Sequence, residues 1–263
     1  MIIDNRDKLL KEIIALAGFA GKEILNIRDN GLNIRQKIDK SPVTAADEAA
    51  EKLILTGLGA LTPTIPIIAE EEASKGRVSN ISCKTFWLVD PLDGTKELIN
   101  NRKEYTVNIG LIEDFRPTMG VVVAPALGKC FSADVGSNAT LKTVGTEPEK
   151  ITVRTFSKND KIITVSRSHG DQAKIKNLLK NISYSRVITA GSSLKFCLIA
   201  NGEADIYPRY GLTREWDTAA GHAILAAAGG SVRTLDNKEL SYGKNKFENP
   251  EFIAYGTKNK TID

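Results

Sequence analysis

Near the start of the chain apolar residues recur at helical spacing. Leu9, Leu10, Ile13, Ile14, Ala17, Ala20 and Ile24 fall on one stripe, which predicts an amphipathic helix over residues 5–27. A second helix is expected over about 44–61, opened by Thr44-Ala-Ala-Asp47, a capping box with Asp in place of Glu. The rhythm then changes. Residues 86–90 (Phe-Trp-Leu-Val-Asp) read as a buried strand halted by Pro91, and strand-like runs follow at 105–112, 118–123 and 129–133. Gly and Pro between these runs predict an antiparallel meander. The polar stretch 145–150 (Gly-Thr-Glu-Pro-Glu-Lys) is a hinge candidate. Beyond it, strands at 162–166, 205–207, 231–234 and 252–255 alternate with helices near 171–179, 193–200 and 218–228, the last ended by Gly229-Gly230. A helix pair plus sheet, followed by alternating strands and helices, predicts an α/β (α+β layered) sandwich. The expected organisation is a single catalytic unit over 1–263 with lobes of about 1–145 and 150–263.

Composition narrows the function classes. Length (263 residues) suits one large domain or two tightly joined lobes, and 41% hydrophobic with 26% charged residues excludes wholesale disorder. No apolar run approaches the roughly 18 residues of a membrane-spanning helix. The formal net charge of +4 is well short of a dedicated nucleic-acid binder but favours small anions. Three cysteines (Cys83, Cys130, Cys197), odd in number and widely spaced, argue for a reducing compartment and read as small buried apolar residues. With no C-x-x-C pair and only two histidines, His169 and His222, zinc and multi-histidine centres are disfavoured. The chemistry is left to carboxylates, hydroxyls, lysine and an oxygen-bound metal. Asp4, Asp7 and Glu12 interrupt any signal-peptide pattern, so a cytoplasmic location is expected; peripheral attachment to an inner membrane is compatible with the same sequence.

The acids gather in a few places. In Trp87-Leu-Val-Asp90-Pro-Leu-Asp93-Gly-Thr95 a hydrophobic strand delivers Asp90 at its carboxyl end, and Pro91 and Gly94 bend Asp93 back toward it. Two acids on one tight turn repel unless a cation sits between them, and oxygen-only ligands suit Mg²⁺. An ordinary Asp-Gly turn is the alternative. Glu70-Glu-Glu72 follows another apolar run, or is a solvated acidic stretch; Asp217 opens an Ala-rich helix, or is merely its N-cap; Asp47 is a site residue, or only the third residue of its helix. Trp87 and Trp216 read as packing residues beside the acids, and His222 as structural.

The combination resembles the inositol monophosphatase superfamily of metal-dependent, lithium-sensitive phosphatases, and within it the bacterial 3′(2′),5′-bisphosphate nucleotidase branch. The matching segments are Ser41-Pro-Val-Thr-Ala-Ala-Asp47, Ala69-Glu70-Glu71, the stretch from Trp87 to Glu97, Gly191-Ser-Ser-Leu-Lys195 and Glu215-Trp-Asp-Thr-Ala-Ala-Gly-His222. The resemblance implies an αβαβα sandwich, with one Mg²⁺ on Glu70, Asp90 and the carbonyl of Leu92, and a second on Asp90, Asp93 and Asp217. Gly94 and Thr95 would offer backbone N–H groups to phosphate, and Thr95 with Asp47 would be the catalytic pair that orients the attacking water. Ala69 and Glu72 depart from the family pattern, so Glu71 or Glu72 could share the role of Glu70. Gly191, Ser192, Lys195 and Arg209 would contact substrate, as would Glu70, Leu92, Asp93 and Asp217; Lys195 and Arg209 are otherwise ordinary surface charges. His169 resembles a position near the nucleotide, though a lone His is more often structural.

The implied reaction is hydrolysis of the 3′-phosphate of adenosine 3′,5′-bisphosphate, with 3′-phosphoadenylyl sulfate as a further substrate, by in-line attack of a water activated between paired ions. An inositol or sugar monophosphatase on the same scaffold is the nearest alternative. A non-catalytic nucleotide or RNA binder, more remote, would bind with steep salt dependence and be indifferent to Asp90. The expected partner is a small nucleotide bisphosphate, with no nucleic-acid polymer and no obligate protein.

Overall fold

The computed structural model describes residues 5–36, 42–77, 83–157, 159–167 and 171–257. Helix α1 (Arg6–Asn30) is capped by Asn5, whose side chain accepts the Lys8 N–H at 2.8 Å; of the predicted stripe it buries Leu9, Ile13, Ala17, Ala20 and Ile24, with Leu10 and Ile14 half-buried at its edge. A short antiparallel ladder, β1 (Ile34–Gln36) with β2 (Pro42–Thr44), leads into α2 (Ala45–Leu61). Its capping box forms as expected: Asp47 Oδ2 accepts the Thr44 N–H at 2.7 Å.

Next come β3 (Ile67–Ala69), α3 (Glu70–Ser74), β4 (Thr85–Asp93), α4 (Thr95–Ile99), β5 (Thr106–Glu113), β6 (Arg116–Ala124), β7 (Lys129–Asp134), β8 (Ala139–Thr143) and β9 (Glu149–Ile151). These seven strands form one sheet in chain order; β3 runs parallel to β4 and every later neighbour is antiparallel. The polar stretch at 145–150 lies inside this sheet, as the turn from β8 into β9.

The remaining elements are β10 (Ile162–Ser166), α5 (Gln172–Asn181), β11 (Arg186–Ala190), α6 (Leu194–Ala200), β12 (Ile206–Arg209), β13 (Thr213–Arg214), α7 (Ala219–Ala227), β14 (Ser231–Thr234), β15 (Glu248–Asn249) and β16 (Phe252–Tyr255). A second sheet has the order β11-β10-β12-β16-β14, parallel across β11, β10 and β12 and antiparallel around β16; β13 pairs with β15 apart from it.

Side-chain alternation along the strands stacks these elements into five layers. Trp87, Val89, Val121 and Val123 point to one side of the large sheet, against Ile13, Ile24 and Ile54 of α1 and α2. Phe86, Leu88, Val122 and Ala124 point to the other, against Phe196 and Ile199 of α6 and Ala220 and Ile224 of α7. That middle helical layer also packs on Val232, Phe252 and Ala254 of the second sheet, whose far face (Ile163, Ile206, Ile253) meets Leu178 and Leu179 of α5. The result is the expected αβαβα sandwich. Burial on both faces explains why 86–89 reads as a continuous apolar run rather than as an alternating one. Helix α7 reaches the sheet backbone itself: a Cβ on Gly120 would stand 2.4 Å from the Ala220 carbonyl oxygen, and one on Gly110 2.8 Å from the Ala219 Cβ.

Only Cys197 is fully buried; Cys130 is half-buried and Cys83 is exposed, its Sγ donating to the Thr85 carbonyl at 2.9 Å, which corrects the expectation of three buried thiols. Trp87 (buried, Nε1 on Thr62 Oγ1 at 2.9 Å) and Trp216 (6.0 Å from the Phe247 ring) are packing residues. Among the described residues no helix is long and apolar enough to cross a membrane.

His222 is buried in α7 with Nδ1 3.0 Å from the Tyr242 hydroxyl, and burial, aided by the charges of Arg116 and Lys244, lowers its pKa from 6.5 to about 3. The unfolded chain therefore takes up this proton first as pH falls. The stabilisation is complete above about 6.5 and is lost progressively toward pH 3, by at most about 1.4 kcal/mol per pH unit. Urea midpoints are expected to fall steadily from pH 6.5 to pH 4, with a shallower slope in His222→Asn.

Candidate active site

The site is assembled where β3 and β4 end. Their parallel register sets Ala69 beside Val89, so the next residues, Glu70 and Asp90, leave two adjacent strands side by side. Pro91 does not halt β4, which continues to Asp93 through an irregularity in its pairing with β5. Asp90 faces Asn108 and Asp93 faces Thr106, so three steps on β4 match two on β5. A regular strand sends residues three apart to opposite faces; the bulge re-aims Asp93, and Pro is tolerated where the ladder is broken. The Leu92 N–H donates to Asp90 Oδ1 at 3.0 Å and locks the bend.

Asp217 arrives from the second half of the chain, in a single 3₁₀ turn (Glu215–Asp217) ahead of α7. It is not the cap of that helix; Thr218 holds the position, and Asp217 Oδ2 instead accepts the Arg214 N–H at 2.9 Å. One carboxylate oxygen each from Glu70, Asp90 and Asp217 then lie within 4.8 Å of one another. Asp93 stands outside this trio but lines the same cavity, of about 200 Å³, together with Glu70 and Asp217. Burial pushes the Asp217 carboxyl well above the usual carboxylate range; the charges of Asp93 and Glu70 add to this, and the Arg214 N–H and Arg209 oppose it.

On the neighbouring wall Gly94 is left-handed (φ 98°), and a Cβ there would lie 3.2 Å from the Glu104 carbonyl oxygen, so glycine is required to turn β4 into α4. Thr95 Oγ1 then donates to Asp47 Oδ1 at 2.9 Å, with the Leu92 carbonyl 3.4 Å away. Asp47 is thus both a capping residue and the acceptor of Thr95; its two readings coexist, because Oδ2 serves the helix and Oδ1 serves Thr95. Of the adjoining acids, Glu71 is buried with its N–H on Glu51 Oε2 at 2.8 Å, and the Glu72 carboxylate faces Lys75 and Arg77 at 3.8 and 3.4 Å.

Gly191, Ser192, Lys195 and Arg209 all line the same cavity. Lys195 gives its ammonium to the carbonyls of Ser192 and Ala190 and lies 5.1 Å over the Tyr207 ring. Arg209 donates to Ser166 Oγ at 3.1 Å and the Leu212 carbonyl at 2.8 Å. Both are buried, which corrects their alternative reading as surface charges. Ser192 (φ 55°) hydrogen-bonds Thr106. His169 and Ser41 lie outside the described residues.

Two residues that periodicity does not single out hold the site together. Ser193 Oγ lies 3.1 Å from Asp93 Oδ2 and 2.9 Å from the Asp217 carbonyl, joining the end of β4 to the 3₁₀ turn ahead of α7. Glu215, fully buried, accepts the N–H groups of Gly243 and Lys244 at 2.7 and 2.9 Å and meets the Lys244 ammonium at 2.7 Å. The signal for both was their place inside matched segments, with nothing to indicate the contact each makes.

The donor set suits a hard divalent cation. Three carboxylate oxygens converge, burial and like charge disfavour the ionised Asp217, and Asn108, opposite Asp90, is buried with no hydrogen-bond partner for either amide atom among the described residues. Oxygen ligands with room for water are what Mg²⁺ or a similar ion requires.

Comparison with known proteins agrees with this geometry. Residues 5–261 match the inositol monophosphatase family. The chain is 43% identical over 247 residues to the 3′(2′),5′-bisphosphate nucleotidase CysQ of Escherichia coli O157:H7, covering 93% of this chain and 98% of that one. Among solved structures it superposes on CysQ from Bacteroides thetaiotaomicron with a TM-score of 0.80 at 33% identity, covering 97% and 99% of the two chains. It superposes on an IMPase of Thermotoga maritima with a TM-score of 0.78 at 25% identity, covering 95% and 92%. With the αβαβα layers and the converging acids described, the match over nearly the whole chain establishes that the protein belongs to the inositol monophosphatase family.

Proposed function

We propose that this chain is a Mg²⁺-dependent phosphatase that removes the 3′-phosphate of adenosine 3′,5′-bisphosphate, releasing AMP and phosphate, with 3′-phosphoadenylyl sulfate as a second substrate. The observation that carries the reading is the meeting of Glu70, Asp90 and Asp217 within 4.8 Å, at a cavity that Lys195 and Arg209 also line. Carboxylates and cations lining one cavity suit a substrate with one phosphate to cleave and another to hold. The 43% identity to a bisphosphate nucleotidase supports the same substrate class.

Glu70, Asp90, Asp93, Asp217 and the Leu92 carbonyl would hold the ions. Bound Mg²⁺ supplies charge neutralisation for the phosphoryl oxygens and lowers the pKa of water. The protein groups do the positioning. Thr95 Oγ1 donates to Asp47 Oδ1 and presents its lone pairs to an approaching water; as that water gives a proton to Oγ1, the proton already on Oγ1 would pass to the Asp47 carboxylate. The N–H groups of Gly94 and Thr95, at the start of α4, would meet the phosphate that is cleaved, and Gly191, Ser192, Lys195 and Arg209, which line the same cavity, would hold the rest of the nucleotide.

Phosphate release from adenosine 3′,5′-bisphosphate, 3′-phosphoadenylyl sulfate, inositol 1-phosphate and AMP, each with and without Mg²⁺, tests the reading. Release is expected only with the metal, with kcat/KM for the bisphosphate exceeding that for inositol phosphate by more than tenfold, about 1.4 kcal/mol. The reverse preference would assign the chain to the inositol or sugar monophosphatases instead.

A further inference from the structure

A second phosphate brings close to two further negative charges, and cations away from the carboxylates have to meet them. Among the described residues the cavity is lined by four cations, Lys96, Arg167, Lys195 and Arg209. Lys96 is exposed and follows Gly94 and Thr95 directly, on the wall assigned to the phosphate that is cleaved. The other three differ in how far they are already engaged. Lys195 is 4% exposed and held by two backbone carbonyls; Arg209 is 8% exposed and held by Ser166 and Leu212. Arg167, which follows β10 directly, lines the same cavity with its side chain 32% exposed. Its Nη2 lies 2.6 Å from Oε2 of Glu104 and makes one long bond, 3.5 Å, to the Thr189 carbonyl. The ion pair is poorly aligned, since Glu104 Oε2 is buried yet receives no N–H at a hydrogen-bonding angle. Arg167 Nη1 and Nε make no hydrogen bond among the described residues.

We propose that Arg167 is a specificity-determining residue: it binds the substrate phosphate remote from the one that is cleaved, exchanging the Glu104 carboxylate for that phosphate. The assignment rests on the bisphosphate reading above. Phosphate offers two oxygens to the planar guanidinium fork, which Glu104 contacts through one. In the free protein the Glu104 carboxylate balances the Arg167 charge. A substrate with one phosphate leaves the pair closed and gains nothing from it. Glu104, itself 26% exposed, can turn to water when displaced.

The test compares adenosine 3′,5′-bisphosphate with adenosine 3′-monophosphate in Mg²⁺, using wild type, Arg167→Gln, Arg167→Lys and Glu104→Gln. Arg167→Gln is expected to raise KM for the bisphosphate at least tenfold with kcat changing less than threefold, so that the preference for the bisphosphate falls about tenfold. Arg167→Lys, which keeps the charge but loses the fork, is expected to fall between. Glu104→Gln, which frees the guanidinium, is expected to lower KM for the bisphosphate. Equal losses on both nucleotides in Arg167→Gln, or a Glu104→Gln variant weakened as much as Arg167→Gln, would make the pair a structural brace and overturn the assignment. Should Arg167→Gln fail to fold, as judged by its melting curve, the direction of the Glu104→Gln shift decides alone. A wild type that treats the two nucleotides alike overturns the bisphosphate reading and this assignment with it; a wild type that prefers the bisphosphate alongside an indifferent Arg167→Gln overturns this assignment only.

Discussion

Replacing Asp90 with Asn is expected to reduce phosphate release about 10³-fold, equivalent to ~4 kcal/mol of barrier, in a chain that still folds. The amide has the same shape and can still accept the Leu92 N–H that locks the bend. What it removes is one of three charges that converge within 4.8 Å. The stability readout has a sign of its own. Without divalent ions, Asp90→Asn is expected to melt at or above the parent temperature, because a repelling carboxylate is gone. With Mg²⁺ present, the parent is expected to gain stability by linkage and the variant to gain little. Phosphate release and melting curves, each with and without Mg²⁺, measure both. A variant that is fully active, or that Mg²⁺ stabilises as well as it does the parent, would remove Asp90 from the metal site.

Glu215→Ala is expected to give the largest stability loss among single changes around the site, about 3–5 kcal/mol, which for a chain of this size lowers the melting temperature by roughly 10 °C. The carboxylate is wholly buried; its removal leaves the N–H groups of Gly243 and Lys244 without their acceptor and takes the counter-charge from the Lys244 ammonium, which keeps the Ser241 carbonyl. Asp217 shares the same 3₁₀ turn, so the loss is expected to reach activity as well, as a lower kcat below the melting range. Glu215→Gln keeps the volume and one acceptor and is expected to cost less, about 1–3 kcal/mol. Urea unfolding and steady-state kinetics on the two variants separate the effects. An Ala variant as stable as the parent would show that Lys244 and its loop find other partners.

Much of the architecture can be read from the chain because the elements concerned settle their own local accounts. Helix α2 announces itself through Thr44 and Asp47, whose capping bonds involve only neighbours in sequence. The meander from β4 to β7 shows as apolar runs cut by Gly and Pro. Strands β1, β2, β8, β9, β11, β13 and β15 are missing from that reading, and β3 enters it only as an apolar run: β1, β2, β3 and β9 are three residues long, β13 and β15 two, and β11 is a mostly exposed edge strand, so these carry no strong apolar pattern. Pro91 misleads for a related reason. A proline ends a regular ladder, but at a bulge there is no ladder bond for it to break.

The sequence by itself determined the parts of the site: which acids follow apolar strands, which hydroxyl follows the Asp-Gly turn, and which family the segments resemble. Those signals are local, since they depend on spacings of a few residues. Only the tertiary structure decided that Glu70 and Asp90 end neighbouring strands, that an extra residue in β4 turns Asp93 back, and that Ser193 and Glu215 hold Asp217 against them. The same holds for Arg167 and Glu104, which approach to 2.6 Å although they lie 63 positions apart in the sequence. Contacts of that kind arise from how the layers pack, and no short stretch of chain encodes the packing of layers.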